Sequence, residues 1–220
     1  MANRVAAARD SIGEKLEKAV RYFGAKPNSE IFLRAFKQEK RLELWMKKDS
    51  VFHLFRSYPI CYVPGKLGPK RKQGDLQVPE GVYFIDRFNP KSNFHLSMRV
   101  NYPSESDLHF SDKEKPGGEI YIHGDCVSVG CIPIENANIE EVYLLALDAT
   151  TGGQEQVPVH IFPCRLDDMN LQDLLDDNFF NTENRRFWEN LQPVYEFFEQ
   201  KRTVPKVEVD EQGRYEVKNK

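Results

Sequence analysis

No apolar run in this chain of 220 residues approaches the roughly 20 residues that a bilayer-spanning helix needs. The first residues, Met1 to Arg9, lack the apolar stretch of an export signal. Cysteine is scarce: four in all is too few for the dense cross-linking that replaces a core in small secreted domains. Charge of one sign is lacking too. With 31 Lys and Arg against 34 Asp and Glu, the net charge is -3, which removes the broad basic field expected of a nucleic-acid binder. What remains is an ordinary globular composition, 30% charged and 40% hydrophobic, long enough for one core-bearing domain with terminal additions.

Periodicity divides the chain. Ile12, Leu16, Ala19, Val20 and Phe23 share one helical face and predict a helix over 8–23, with Gly24 as its stop. This segment reads as packing. Ile31–Phe36, Leu42–Met46 and Phe52–Tyr58 are aromatic and branched and read as strands, with a hairpin at Gln38–Arg41. A loop over Gly65–Pro79 follows, carrying Lys66, Lys70, Arg71 and Lys72. Its plainest reading is a solvated surface loop. Gly81–Ile85 and Phe94–Val100 read as further strands. The polar segment Tyr102–Gly118 reads as a long loop, with Tyr102 and His109 as candidate groove residues. Glu119–His123 is a strand, Asn138 the N-cap of a helix over 139–149 that Gly152-Gly153 ends, and Val157–Phe162 a returning strand. Phe187, Trp188, Leu191, Val194, Tyr195 and Phe198 form an aromatic helical face that Pro193 is expected to kink or split. The tail Lys206–Val217 fits a small hairpin or a disordered end. These shifts suggest an N-terminal helical segment (1–29), a central domain (30–165) and a C-terminal helical extension with its tail (166–220).

The segment Ile122-His-Gly-Asp-Cys-Val-Ser-Val-Gly-Cys131 concentrates chemistry. A thiol beside an imidazole can become a nucleophilic thiolate, and the glycine before Cys131 lets the backbone bring N–H groups near the sulfur to hold an oxyanion. Three plainer readings stand beside it: buried structural cysteine, a Cys126–Cys131 disulfide, and a zinc site using His123, Cys126 and Cys131. The H-x2-C-x4-C spacing matches none of the common structural zinc patterns. Cys61 and Cys164 read as buried structural residues.

The pattern H-G-x3-S-x-G-C over residues 123–131 resembles the signature of the YkuD-type L,D-transpeptidase family, cysteine enzymes of bacterial peptidoglycan. Two further blocks support the resemblance: Lys66-Leu-Gly-Pro-Lys through Gly74-Asp and Pro79-Glu-Gly-Val-Tyr83, and Asn89-Pro-Lys-Ser-Asn-Phe-His-Leu-Ser97 followed by Asn101-Tyr-Pro103. Together they are similar to the YafK-like branch over residues 30 to 165. The chain has Val129 where many members have His, and Pro133 where many have Arg or Asn. These departures narrow the branch and leave substrate contacts open.

The resemblance implies an α+β, β-rich fold, a YkuD-like β-sandwich catalytic domain with flanking N- and C-terminal helices. It implies Cys131 as nucleophile and His123 as base, with the main-chain carbonyl of Gly124 orienting the imidazole. Ser128 would support the turn, and the N–H groups of Gly130 and Cys131 are the candidate oxyanion donors. Tyr102, Lys66, Lys70 and Arg71 are the candidate substrate contacts, the basic groups attracting carboxylates on peptide stems. No metal and no cofactor is implied. The substrate would be the peptidoglycan peptide stem, attacked in cross-linking members at the L-centre of diaminopimelate. An amine acceptor gives transpeptidation; water gives hydrolysis, which the branch also contains as release of envelope lipoprotein. The implied location is the periplasm or cell envelope, with an export signal already removed from this chain. A non-catalytic peptidoglycan-binding module and a zinc-stabilised domain are the readings from other classes.

Overall fold

The computed structural model describes residues 3–218. Helix α1 (Arg4–Phe23) leads into β1 (Ile31–Phe36), β2 (Arg41–Lys48), β3 (Val51–Pro59), β4 (Gly81–Asn89) and β5 (Ser97–Val100). Helix α2 (Glu105–Phe110), β6 (Tyr121–His123), β7 (Ile132–Pro133), α3 (Asn136–Thr151) and β8 (Val157–Phe162) follow. Helices α4 (Asp168–Asp177) and α5 (Thr182–Lys201) and the strand pair β9 (Lys206–Val209) and β10 (Tyr215–Lys218) close the chain. The strands of the central region form one curled, eight-stranded sheet in the order β3-β2-β1-β8-β4-β5-β6-β7. Strands β1 and β8 run parallel, as do β6 and β7, and the other neighbours are antiparallel. The architecture is the helix-flanked, β-rich one the resemblance implied.

The core explains the order. Strand β1 is buried at every position, and with β8 it forms the middle of the sheet. One face packs under α1 and α3, with Leu16, Val20, Ile139, Val142 and Leu145 in the main apolar cluster. Arg9 clamps Asp148 through two bonds of 2.7 and 2.6 Å and joins the two helices. The other face is covered by α4 and α5, whose Leu174, Trp188, Leu191 and Val194 pack on Phe36 and Phe162.

Arg34 lies within that second layer at 0% exposure. Its guanidinium sits 4.9 Å from the ring centroids of Phe36, Tyr195 and Phe198 and pairs with Glu199 at 2.7 Å. His160 is buried beside it, 4.7 Å from the Phe32 ring. Burial, with Arg34 nearby, pushes the His160 pKa down to about 3. The unfolded chain binds this proton near pH 6.5, so between there and about 3 the unfolded state holds more protons and stability falls as pH falls. The slope from this group is roughly 1.4 kcal/mol per pH unit. Chemical denaturation of His160→Phe across that window is expected to show a flatter pH dependence than the parent; an unchanged slope would contradict the assignment.

Several local expectations need correction. Helix α1 starts at Arg4, capped by the Asn3 side chain, not at residue 8. The segment Tyr102–Gly118 contains α2, set by a reciprocal Ser104–Asp107 capping box. Helix α3 begins at Asn136 with Glu135 at the cap position, and Asn138 does not cap it. Helix α5 runs unbroken through Pro193, which lies on the exposed face, where the carbonyl left unpaired by the missing N–H is close to water. The C-terminal strands form the small antiparallel pair that the tail suggested.

Candidate active site

The site lies at the edge of the sheet, where β6 and β7 pair in parallel with His123 opposite Pro133 and Ile122 opposite Ile132. Cys131 immediately precedes β7, so the Ile122–Ile132 pairing brings its segment beside the strand that ends in His123. Parallel neighbours normally need a crossover of about a dozen residues or more. The connection here, residues 124–131, is shorter, and the surrounding residues hold it down.

Ser128 is the first hold. Its Oγ accepts the N–H of Gly130 at 3.1 Å and of Cys131 at 2.7 Å, and donates to the Cys131 carbonyl at 2.8 Å. This supports the expected turn-forming role of Ser128. It also corrects the reading of the Gly130 and Cys131 amides as free oxyanion donors, since both are engaged by that hydroxyl. Gly130 has φ +142, and a Cβ there would come 3.2 Å from the Gln77 carbonyl, so the turn requires glycine. At Gly124 a Cβ would meet Asn136 Oδ1 at 2.4 Å. That same oxygen accepts the Asp125 N–H at 2.9 Å, which ties the loop to the first residue of α3.

The second hold is a disulfide between Cys61 and Cys126. It links the segment after β3 to the loop, and the Cys61 N–H reaches the Pro133 carbonyl at 2.9 Å. The pairing displaces two sequence readings: Cys126 does not bond Cys131, and it is not available to a zinc set with His123 and Cys131. Cys61 is structural through this bond but half-buried, whereas Cys164 is buried as expected. Cys131 and Cys164 are the free thiols.

His123 is buried, and its Nδ1 hydrogen-bonds the Gly124 carbonyl, the orientation the resemblance implied. A carbonyl partner makes Nδ1 the protonated nitrogen and leaves Nε2 as the base. The Phe94 ring covers the imidazole with centroids 4.8 Å apart. Arg4 of α1 holds the flanking carbonyls of Ser92 and His95, so the N-terminal helix fixes that cover. Burial lowers the His123 pKa below 6.5, against the raising effect of the Gly124 bond and Asp125. The Cys131 thiol donates to the Glu119 carbonyl at 3.6 Å. Burial pushes its pKa up, against the lowering effects of the Tyr121 N–H and Lys70. The two shifts run in opposite senses, because burial disfavours the imidazolium and the thiolate alike.

Non-glycine residues with left-handed backbone gather around this site. His95, Glu119, Asp125 and Glu135 have φ of 68, 53, 56 and 66°. Such strain is held where surrounding structure over-determines it, and it clusters at functional sites. A single sequence carries no direct signal for it.

The expected substrate contacts separate. Tyr102 is 5% exposed and donates to the Pro116 carbonyl at 2.9 Å, so it is a packing residue. Lys70 is buried, bonded to Asp75 at 2.5 Å and to the Lys72 carbonyl at 2.9 Å. Arg71 points toward α5, at 3.2 Å from Glu183. Lys66 is exposed. The loop is therefore a folded unit organised by Asp75, not a solvated basic loop. Val127 and Val129, 59% and 75% exposed, flank the turn and leave apolar surface beside it.

Ser128→Ala should retain the fold and lower kcat/KM about 10- to 100-fold, because unmade hydrogen bonds of this kind cost about 1–3 kcal/mol. Steady-state kinetics beside a thermal melt would check this; activity within twofold of the parent would contradict the positioning role.

Residues 32–161 match the YkuD family, the L,D-transpeptidase catalytic domain. The chain belongs to that family. It is 37% identical over 191 residues to the putative L,D-transpeptidase YafK of Escherichia coli strain K12, covering 86% of this chain and 74% of that protein. The same figures hold for YafK of strain O157:H7. Among solved structures it superposes on the K307A mutant of the helical cell shape determining protein Pgp2 from Campylobacter jejuni, with a TM-score of 0.50 and 20% identity. That match covers 88% of this chain and 78% of the other and is a likeness of fold. Among the described residues no helix is long and apolar enough to cross a membrane.

Proposed function

We propose that this chain is a cysteine acyltransferase of peptidoglycan peptide stems, with Cys131 as nucleophile and His123 as general base. The observation that supports the reading is the β6–β7 pairing, which brings the segment of Cys131 beside the strand of His123, while the Gly124 carbonyl accepts from the imidazole Nδ1. His123 Nε2 takes the thiol proton as the sulfur attacks a stem carbonyl. The C–N bond of the tetrahedral adduct then breaks, and the leaving amine takes the proton back from the imidazolium. The thioester left on Cys131 is attacked by an acceptor amine or by water, His123 removing the proton, and the thiol is released. Ser128, Gly130 and Gly124 shape this arrangement without reacting.

Acyl transfer needs neutral His123, so activity falls as pH drops through its pKa, below 6.5 because of burial. The Cys61–Cys126 disulfide supports an oxidising compartment such as the periplasm or cell envelope. Mass spectrometry of products from purified muropeptides, both cross-linked and lipoprotein-linked, tests the reading. New linked dimers made only with Cys131 intact would establish transpeptidation, and loss of existing links or lipoprotein stubs would establish hydrolysis. Identical products from the parent and Cys131→Ala would contradict acyl transfer and favour a binding module.

A further inference from the structure

A cavity of about 460 Å³ lies outside the catalytic cleft, between Arg71, Phe110 of α2, the start of α5 and the turn joining β9 to β10. Its size is within the range of small-ligand sites. Three guanidinium groups face it: Arg71, Arg186 and Arg214. Arg71 is held between two rings, 5.3 Å from the Phe110 centroid and 5.5 Å from Phe187. Its Nε donates to Glu183 at 3.2 Å, and its two terminal amino groups make no hydrogen bond among the described residues. Arg186 is exposed and likewise makes none among the described residues. Arg214 is tied to Asp210 at 2.9 Å.

A clamped guanidinium with its fork open, a second unpaired guanidinium and apolar walls together suit an oxyanion on a partly apolar body. Glu183 at the rim disfavours a dianion and accommodates an ammonium group. We propose that this cavity is a second binding site that takes the carboxylate end of a peptide, specifically a peptide stem. The proposal rests on the peptidoglycan reading above for the identity of the peptide. The cavity is completed by α5 and the C-terminal hairpin, which lie beyond the residues matching the family domain. It thus assigns the extension a role in holding substrate at a distance from the reacting bond.

The test is NMR of the arginine side-chain Nε–H signals of the full chain carrying Cys131→Ala. It would be titrated with a free stem tetrapeptide, with the same peptide amidated at its C-terminus, and with inorganic phosphate. The free tetrapeptide is expected to shift the Arg71 and Arg186 signals saturably, the amide to bind at least tenfold more weakly, and Arg186→Gln to weaken binding tenfold or more. Arg186 is exposed, so that variant should fold, and Arg71→Lys, which keeps the charge and loses the fork, gives a second reading. No shift of either signal, equal binding of acid and amide, or a response to phosphate alone would overturn the proposal. Failure here would leave Cys131-dependent product formation untouched, and loss of that chemistry would leave these titrations unchanged, so the two readings fail separately.

Discussion

Cys131→Ala is expected to leave the fold and melting temperature close to those of the parent while lowering turnover of peptide stems by about 10⁴-fold or more. The side chain is partly exposed at a sheet edge, and its one hydrogen bond is a 3.6 Å contact to the Glu119 carbonyl, so little packing is lost. What is lost is the atom that carries the acyl group. Without it neither amine nor water meets a thioester, and both product classes vanish together. Cys131→Ser is expected to be nearly as poor. His123 is buried and its charged form disfavoured, and it would then have to deprotonate an alcohol, a much weaker acid than a thiol. Residual activity above a tenth of the parent in either variant would mean that the acyl group is carried elsewhere.

The second large effect concerns stability. Glu80 is 0% exposed and accepts Lys37 Nζ at 2.7 Å, the Gly68 N–H at 2.7 Å and the Trp188 indole N–H at 2.7 Å. Lys37 also donates to the carbonyls of Gly68 and Val78, each at 2.9 Å. The pair is buried with its partners satisfied, and it joins β1, the loop before β4 and α5. Glu80→Ala leaves an ammonium, an amide and an indole N–H without their acceptor, so it should cost about 3–5 kcal/mol, read by urea denaturation. Lys37→Met combined with Glu80→Gln should cost less than the sum of the two single changes, because each single change strands the other's charge. The same network anchors both ends of the segment carrying Lys70 and Gln77, so partial unfolding of that segment should also reduce activity. A Glu80→Ala loss under 1 kcal/mol would contradict this role.

The motif at 122–131 was legible because its chemistry is carried by side-chain identity: imidazole, hydroxyl and thiol at fixed spacing. The strands Ile31–Phe36 and Val157–Phe162 were legible because aromatic and branched residues dominate both, as in a strand buried on both faces. Their adjacency was not, because β8 inserts between β1 and β4 from far along the chain. The Cys61–Cys126 pairing was hidden for the same reason: a sequence separation of 65 gives no local signal. Lys70 reads as a substrate contact because composition shows its charge and not the Asp75 carboxylate that meets it. Helix α2 did have a signal, Ser104-Glu-Ser-Asp107, which sits in a segment whose proline and glycine content reads as loop. Helix α4 had another, Asp167 ahead of Leu171, Leu174 and Leu175. Pro193 does not split α5, because it lies on the exposed face, where water can meet the carbonyl left without its N–H partner.

The central claim is that Cys131 carries the acyl group. Intact-protein mass spectrometry of the enzyme quenched in acid during turnover of a stem tetrapeptide, followed by peptide mapping, tests it most directly. The account predicts a mass increase equal to the acyl fragment, mapped to the peptide containing Cys131, removed by hydroxylamine and absent in Cys131→Ala. Product formation with no adduct on Cys131, or an adduct mapped to Cys164 or another residue, would contradict it.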